Sequence, residues 1–478
     1  MLMFPPCRPS KLVRAFILGV LTALLLITAV QFVRIISEVI TGTGNYTQKK
    51  AAESHLDRLQ HEVDNLNKAV KNLPRFEGQE NSDSSRLYHP SPSGQSVDPD
   101  EVFKRARHVH NVCLKREKQL AGLTNSTYAY ERISIDKKRK HLFCPIYKVS
   151  STFLRRVLYS LETYGELKNP YSIPIEKALK AKTDSLMGLL SLDERQANEF
   201  LSEANSFLIV REPLVRLLSG YMDKLFAPNP FYWNKTGTYI VSKYRSKPNH
   251  LETVCGHNVT FNEFARYIVD GELDPKAVDY RDPHFTPAYD QCKVCRLNYG
   301  MVGKMESFTT DMYTILNNLI INVTKDQLVE WKEDVVKDAI IDSVESPFLW
   351  RPKVRMCMSW HSSLRRVWRK LQSRAIIPLE EKFPFSEFQS ERVTAQDFIT
   401  TAHFTHLRAD KSRLKRQKKE VLAMAYKTVD RSLLPKLLEV MEPDFTLFKY
   451  NIHPDFLFDN DFLVEVDKLP NIFDVRTL

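Results

Sequence analysis

Two short apolar runs, each ending in cations and hydroxyls, restrict this chain more than any other feature. The first, His141 to Leu161, reads HLFCPIYKVSSTFLRRVLYSL. It has the form of an apolar strand, a turn of Lys148, Val149, Ser150, Ser151 and Thr152, and a helix from Phe153. In that helix Phe153, Val157 and Leu161 recur every four residues and Arg155 and Arg156 face outward. The second run, Ser206 to Leu225, reads SFLIVREPLVRLLSGYMDKL. Phe207 to Val210 has the unbroken apolar character of a strand buried in a parallel sheet. Arg211 ends that strand, and Pro213 suits the first turn of a helix, where no N–H is missed. Arg211, Arg216 and Ser219 are then available on the loop and the helix start.

A lysine and three hydroxyls at a strand-to-helix turn make an anion site. The free backbone N–H groups and the positive helix end point into the turn. Lys148 adds a full charge and the hydroxyls add donors. The glycine-rich lysine motif of nucleoside-triphosphate P-loops is absent, which excludes that class. The plainer reading of this turn is a basic strand edge followed by an ordinary Ser/Thr cap. Two such units together suit a phosphate-rich ligand at the carboxyl edge of an open α/β sheet.

The net charge of +11 calls for an acidic partner, whether nucleic acid, anionic lipid or polyanionic glycan. The N-terminus decides among them. Ala15 to Val33 is apolar except for Thr22, Thr28 and Gln31, and is long enough to span a bilayer. Arg8, Lys11 and Arg14 precede it with no acid, so residues 1–14 are expected to stay cytoplasmic and the remainder to be lumenal. A cleaved signal peptide is the competing reading. The sequons at Asn45, Asn125, Asn234, Asn258 and Asn322 all follow the anchor and suit a glycoprotein of the secretory pathway. Of the seven cysteines, Cys7 is on the cytoplasmic side. The lumenal set, Cys113, Cys144, Cys255, Cys292, Cys295 and Cys357, is even in number and favours structural disulfides of open connectivity. The Cys292-x-x-Cys295 pair lacks the second ligand pair of a zinc site and the surroundings of a redox motif.

Ala52, Leu56, Leu59, Val63, Leu66, Val70 and Leu73 form a heptad seam. It reads either as a short coiled coil that makes the protein a homodimer through its stem, or as a single amphipathic helix. Pro74 ends it. Residues 76–99 are rich in Ser, Pro, Gly, Asn and Asp and read as a flexible stretch. The expected organisation is a cytoplasmic tail at 1–14, a transmembrane helix at 15–33, a stem at 34–98 and a globular domain at 99–478, with a helix starting at Glu101. Residues 175–203 look helical, and residues 232–257 look like a surface loop.

KVSST followed by FLRRVL, and then REPLVRLLSGYMDK, resemble the two donor-binding segments of the Golgi carbohydrate sulfotransferases, nearest the group acting on chondroitin, dermatan and N-acetylgalactosamine. DPHFTPAYDQCKVCRLNYGMVGKME, Asp282 to Glu306, is similar to that family's His-aromatic-x-Pro, Cys-x-x-Cys and Gly-Lys-x-Glu run. YKTVDRSLLPKLLEVMEPDFTLFKY, Tyr426 to Tyr450, is similar to its closing helix. Glu212 stands where the family usually has aspartate, and Ser150-Ser151 where it has a small residue and Cys. The resemblance implies a three-layer α/β sulfotransferase fold around a central parallel sheet, Golgi residence, and 3′-phosphoadenosine 5′-phosphosulfate as sulfate donor. It places Lys148, Val149, Ser150, Ser151 and Thr152 at the 5′-phosphosulfate, and Arg211 and Ser219 at the 3′-phosphate.

Sulfuryl transfer to a sugar hydroxyl needs a base for the hydroxyl proton and positive charge on the leaving oxygen. Histidine is the side chain best tuned for the first task. His284, at the family's His-aromatic-x-Pro position, is the expected base and Lys148 the expected charge stabiliser; Glu306 is a second candidate base. Lys304 reads as a sheet-edge salt bridge. The chemistry requires no metal, and no metal-ligand cluster is visible. Two basic clusters, Arg365 to Arg374 and Arg408 to Lys419, read either as solvated faces or as sites for a sulfated or uronic-acid polymer, since a lumenal domain meets no nucleic acid. The expected acceptor is an anionic glycan of the chondroitin or dermatan kind. Heparan sulfate or an N-glycan terminus is the second enzyme reading. A membrane-tethered polyanion binder without catalysis is the reading from another class.

Overall fold

The computed structural model describes residues 100–121, 133–180, 186–274 and 281–473. The anchor, the heptad seam, the flexible stretch and the sequons at Asn45 and Asn125 lie outside the described residues. Among the described residues, no helix is long and apolar enough to cross a membrane.

The sheet has five strands: β1 (Ser134–Asp136), β2 (His141–Cys144), β3 (Leu186–Gly188), β4 (Asn205–Val210) and β5 (Met301–Lys304). Their spatial order is β3-β1-β2-β4-β5. β4 runs parallel to β2 and β5, with Phe143 opposite Phe207 and Leu208 opposite Val302. β1 is antiparallel to both β2 and β3. The expected central parallel sheet is therefore corrected to a mixed one. The cause is local: only the basic stretch Lys137 to Lys140 joins β1 to β2, and a link that short makes a hairpin rather than a crossover. Arg139 closes the hairpin on Asp136 at 2.8 Å. β2 and the last four residues of β4 are buried, which is why they read as unbroken apolar runs.

The main helices are α1 (Glu101–Ala121), α2 (Ser151–Tyr164), α3 (Pro213–Tyr221), α4 (Phe261–Leu273), α5 (Phe308–Asn318), α6 (Lys325–Leu349), α7 (Trp360–Ser373), α8 (Ala395–Arg408), α9 (Lys411–Tyr426) and α10 (Leu434–Leu447). α1 starts at the expected residue, and it packs with α5 on β5. α2 buries Phe153, Leu154, Val157, Leu158 and Leu161. It ends at Gly165, whose φ of 74° lets its N–H return to the Leu161 carbonyl. One core joins α3, α4, α9 and α10 through Leu214, Leu217, Tyr221, Phe264, Tyr426 and Met441. A second joins α6, α7 and α8 around Trp360, Trp368 and Phe398. Burial of each such side chain contributes about 1.5–3 kcal/mol.

Two expectations from pattern fail here. Residues 175–203 are not one helix. The apolar Leu186–Gly188 leaves the helical path to pair with β1, and a capping box at Asp193 restarts a helix at Glu194. Residues 232–257 are not a surface loop. They fold as a π-helical segment, Trp233–Gly237, and two helices, Thr238–Tyr244 and His250–Cys255. Trp233, Ile240 and Val241 are fully buried, and these three apolar residues were outweighed in the sequence by the polar ones around them.

The six cysteines among the described residues pair completely: Cys113 with Cys295, Cys144 with Cys292, and Cys255 with Cys357. The two cysteines of Cys-x-x-Cys take different partners, in keeping with a structural role. α10 locks the same region from the other side. Buried Asp444 accepts the N–H groups of Ala288 and Tyr289 at 2.7 and 2.8 Å.

Candidate active site

The turn after β2 is built from unusual backbone. Lys148 (φ 66°) and Ser150 (φ 52°) are both left-handed. For residues with a Cβ this costs on the order of 1–3 kcal/mol each, and such strain gathers at functional sites. Ser150 occupies the N-cap of α2, but its hydroxyl does not cap the helix and lies 3.2 Å from the Met305 sulfur. The ordinary capping reading of the turn therefore fails: the Ser150 side chain leaves the N-terminus of α2 uncapped among the described residues. Ser151 and Thr152 form its first turn and are half-buried. Val149 is buried, and its N–H reaches the Ile146 carbonyl at 3.3 Å, so it anchors the turn from below.

Arg211, at the end of β4, donates to the Lys148 carbonyl at 3.2 Å. The two segments read separately from the sequence thus meet at one edge of the sheet. Burial lowers the proton affinity of Arg211, and Glu306 opposes that shift. Glu212 caps α3 by accepting the Val215 N–H at 2.6 Å. Burial pushes its carboxyl up to about 7, against the pull of the Val215 and Leu214 N–H groups. Glutamate in the usual aspartate position therefore still performs the cap. Ser219 lies in the last turn of α3, half-buried, and its hydroxyl has no hydrogen-bond partner among the described residues.

Arg216 is not available to a ligand. It is buried, and its guanidinium holds the carbonyls of His284, at 3.4 Å, Phe285 and Thr286. Gly220 serves the same approach: a Cβ there would lie 2.9 Å from the Phe285 ring and 3.1 Å from the His284 carbonyl. α3 therefore presents Arg211 at its start and carries the His284 loop on its flank.

His284 sits in a polar and aromatic nest. Asp282 Oδ1 accepts both the His284 backbone N–H, at 2.8 Å, and its Nδ1, at 2.7 Å. The Tyr232 hydroxyl is 2.9 Å from Nδ1 and hydrogen-bonds to the Asp282 carboxylate. With Asp282 ionised, Nδ1 carries the proton and Nε2 presents its lone pair. Nε2 has no protein partner among the described residues. Burial lowers the imidazole's proton affinity; Asp282 raises it, and Lys224 and Lys148 lower it again. The Tyr147 ring, next to Lys148 in the chain, lies 4.2 Å from the imidazole. The structure thus brings the expected base beside the anion turn.

Lys148 itself points to a residue that the sequence reading missed. Its Nζ is 3.0 Å from Asp223, which also meets Lys224 at 3.2 Å and Lys370 at 2.7 Å. Burial alone would raise the Asp223 carboxyl, but the three lysines hold it well below the usual range. Asp223 lies on a π-helical turn, Met222–Phe226, a feature frequent at functional sites. Asp282 and Tyr147 had a local signal, as neighbours of His284 and Lys148. Lys370 had none, because it lay within a basic run that suggested a surface patch.

That run turns inward in part: Arg366 and Lys370 are buried, Arg365 and Arg369 half-buried, and Arg374 exposed. Arg366 is buried against the carbonyls of Phe226 and His257, and Arg374 donates to Ala339 and Ser343. The second cluster does form an exposed face, with Arg408, Lys411, Lys415, Arg416, Lys418 and Lys419 on the surface. Lys304 makes no salt bridge among the described residues; its ammonium sits 4.0 Å over the Tyr450 ring. Glu306 spends one oxygen on the Glu212 N–H, at 3.1 Å, and the other on the Tyr450 hydroxyl, at 2.8 Å.

A family model described as the sulfotransferase family matches residues 131–381, more than half of the chain. The chain belongs to the sulfotransferase family. The matched span contains both anion segments, the Asp282–His284 pair and α7. Carbohydrate sulfotransferase 14 of Danio rerio is 30% identical over 240 residues, 49% of this chain and 62% of that protein. Carbohydrate sulfotransferase 10 of Homo sapiens is 29% identical over 234 residues, 47% of this chain and 63% of that protein. Carbohydrate sulfotransferase 11 of Rattus norvegicus is 27% identical over 187 residues, 39% of this chain and 52% of that protein. The chain thus spans less than two thirds of each of these relatives. No solved structure matches it.

Proposed function

We propose that the protein is a carbohydrate O-sulfotransferase. The donor is 3′-phosphoadenosine 5′-phosphosulfate and the acceptor a hydroxyl of a glycosaminoglycan of the chondroitin or dermatan kind. The observation that carries this reading is the meeting of Lys148 and His284 at one sheet edge, with Tyr147 packed on the imidazole. The donor supplies a sulfuryl group whose bond to the 5′-phosphate oxygen breaks as the acceptor oxygen bonds to sulfur.

His284 Nε2 takes the proton of the acceptor hydroxyl. Asp282 fixes the tautomer and stabilises the imidazolium that forms. Lys148 and the uncapped N-terminus of α2 offset the charge that gathers on the leaving phosphate. Ser150, Ser151 and Thr152 supply hydroxyl and N–H donors to the 5′ end, and Val149 sets the turn. Arg211 and Ser219 hold the 3′-phosphate. None of these roles calls on a metal. In this reading the N-terminus anchors the enzyme as a type II protein in the Golgi membrane, the stem joins two copies, and the catalytic domain is lumenal.

The test incubates the full chain with donor carrying radiolabelled sulfate. The acceptors are chondroitin, dermatan, desulfated heparan and N-acetylgalactosamine-terminated glycans, with Arg211→Ala as control. Label on one acceptor, absent in the control, supports the reading and names the acceptor. No label on any acceptor, together with no binding of adenosine 3′,5′-bisphosphate by the folded chain, would overturn it.

A further inference from the structure

We propose that Lys370, on α7, is a third anion-gripping residue of the donor site, remote in sequence from both strand-turn-helix segments. The inference deepens the functional reading and rests on it.

Lys370 and Lys148 take the two oxygens of one carboxylate. Lys370 Nζ is 2.7 Å from Asp223 Oδ1, and Lys148 Nζ is 3.0 Å from Oδ2, with Lys224 Nζ 3.2 Å from that same oxygen. The Lys370 side chain is only 6% exposed. A buried ammonium needs a counter-charge, because desolvation costs several kcal/mol per ion, on the order of what one good pair returns. One carboxylate cannot balance three ammonium groups. Asp342 and Asp282 act on Lys148 and Lys224 from farther away, but among the described residues only Asp223 touches the three ammonium groups. Such a cluster beside the N-terminus of α2 suits a polyanion that carries adjacent charged groups, as a phosphosulfate or a phosphate ester does.

α7 also faces the other half of the site. One turn beyond Lys370, Arg374 lies near enough to Arg211 to lower its proton affinity. The helix thus sets Lys370 beside Lys148, on the two oxygens of Asp223, while the Arg374 guanidinium meets the Ala339 carbonyl and the Ser343 hydroxyl. A purely structural ion pair would need one lysine, not three. In the absence of donor, Asp223 is the common counter-ion that keeps Lys148, Lys224 and Lys370 charged and side by side.

Lys370→Ala is a safe variant, because Asp223 keeps Lys148 and Lys224 as partners and no carboxylate is orphaned. The full chain, wild type and variants, is titrated calorimetrically with adenosine 3′,5′-bisphosphate, and its melting is followed with and without inorganic sulfate. Loss of a charge-assisted contact predicts about tenfold weaker nucleotide binding in Lys370→Ala, with the unliganded melting temperature little changed. The double variant Lys370→Ala/Asp223→Asn decides between gripping and mere neutralisation. Binding that stays weak in the double variant supports a direct contact; recovery to wild-type affinity overturns it. Wild-type affinity in Lys370→Ala alone also overturns it. If sulfate but not the nucleotide stabilises the wild type, the donor reading falls, while loss of the sulfate effect in Lys370→Ala still supports the anion site. If neither ligand binds the wild type, both fall.

Discussion

Cys144 is bonded to Cys292, which ties the end of β2 to the segment that follows the His284 loop. Cys144 lies just ahead of the Lys148 turn, so one covalent link ties that turn to the segment after the His284 loop. Replacing both cysteines by serine is expected to lower stability by about 2–5 kcal/mol. It is also expected to lower kcat more than nucleotide affinity, since Lys148 stays with Arg211 while His284 is freed. Denaturation and single-turnover kinetics on the double variant check this; equal losses in both quantities would refute it.

Removing the proposed base gives the sharpest kinetic outcome. His284→Ala is expected to reduce kcat by about 10²–10⁴-fold, with adenosine 3′,5′-bisphosphate affinity near wild type. Asp282→Asn, which keeps the ring but loses control of its tautomer, is expected to fall between the two. A His284→Ala enzyme with full turnover would remove the histidine from the mechanism.

The pH dependence has a definite sign. Burial, Lys224 and Lys148 lower the proton affinity of His284, and Asp282 only partly restores it. The imidazole therefore stays neutral, and able to accept a proton, below its ordinary value of about 6.5. The acid limb of kcat/KM is expected below that value. Lys224→Met removes a charge that lowers it and should move the limb upward. Stability follows the same group: as pH falls, the unfolded imidazole takes up its proton first, so the His284 contribution is present above about 6.5 and lost below it. A limb that ignores Lys224→Met would contradict this electrostatic account.

Gly220 permits α3 to touch the His284 loop. A methyl group there meets the Phe285 ring at 2.9 Å and the His284 carbonyl at 3.1 Å. Gly220→Ala is expected to cost about 1–3 kcal/mol through overpacking and to lower kcat by displacing the imidazole. Thermal melting and kinetics on this variant test both halves.

How much of this was legible follows distance along the chain. The two strand-turn-helix units were readable because their signals are local: apolar runs, Pro213 at a helix start, and a lysine among hydroxyls. His284 was readable from its short motif, and Asp282 could have been, two residues away. The mixed sheet was hidden because β1 and β3 are three residues each, too short for a pattern. The sharing of Asp223 by Lys148 and Lys370 was hidden for a different reason. Asp223 and Lys370 stand 147 residues apart, and only the packed fold selects that pair from many equivalent lysines. Arg216 misled in the same way, since a cation beside a site looks alike whether it meets a ligand or a carbonyl.

The disulfide connectivity also dictates an order of events at synthesis. Cys113, Cys144 and Cys255 all leave the ribosome before any of their partners, and the first partner to appear is Cys292. No native bond can close until more than half of the chain exists, and Cys292 then emerges beside Cys295, a wrong neighbour in easy reach. The nascent protein must hold three thiols unpaired or mispair and reshuffle them, a step that takes seconds to hours without help. Its yield should therefore depend on the thiol-exchange capacity of the compartment that makes it, more than on the intrinsic stability of the finished fold.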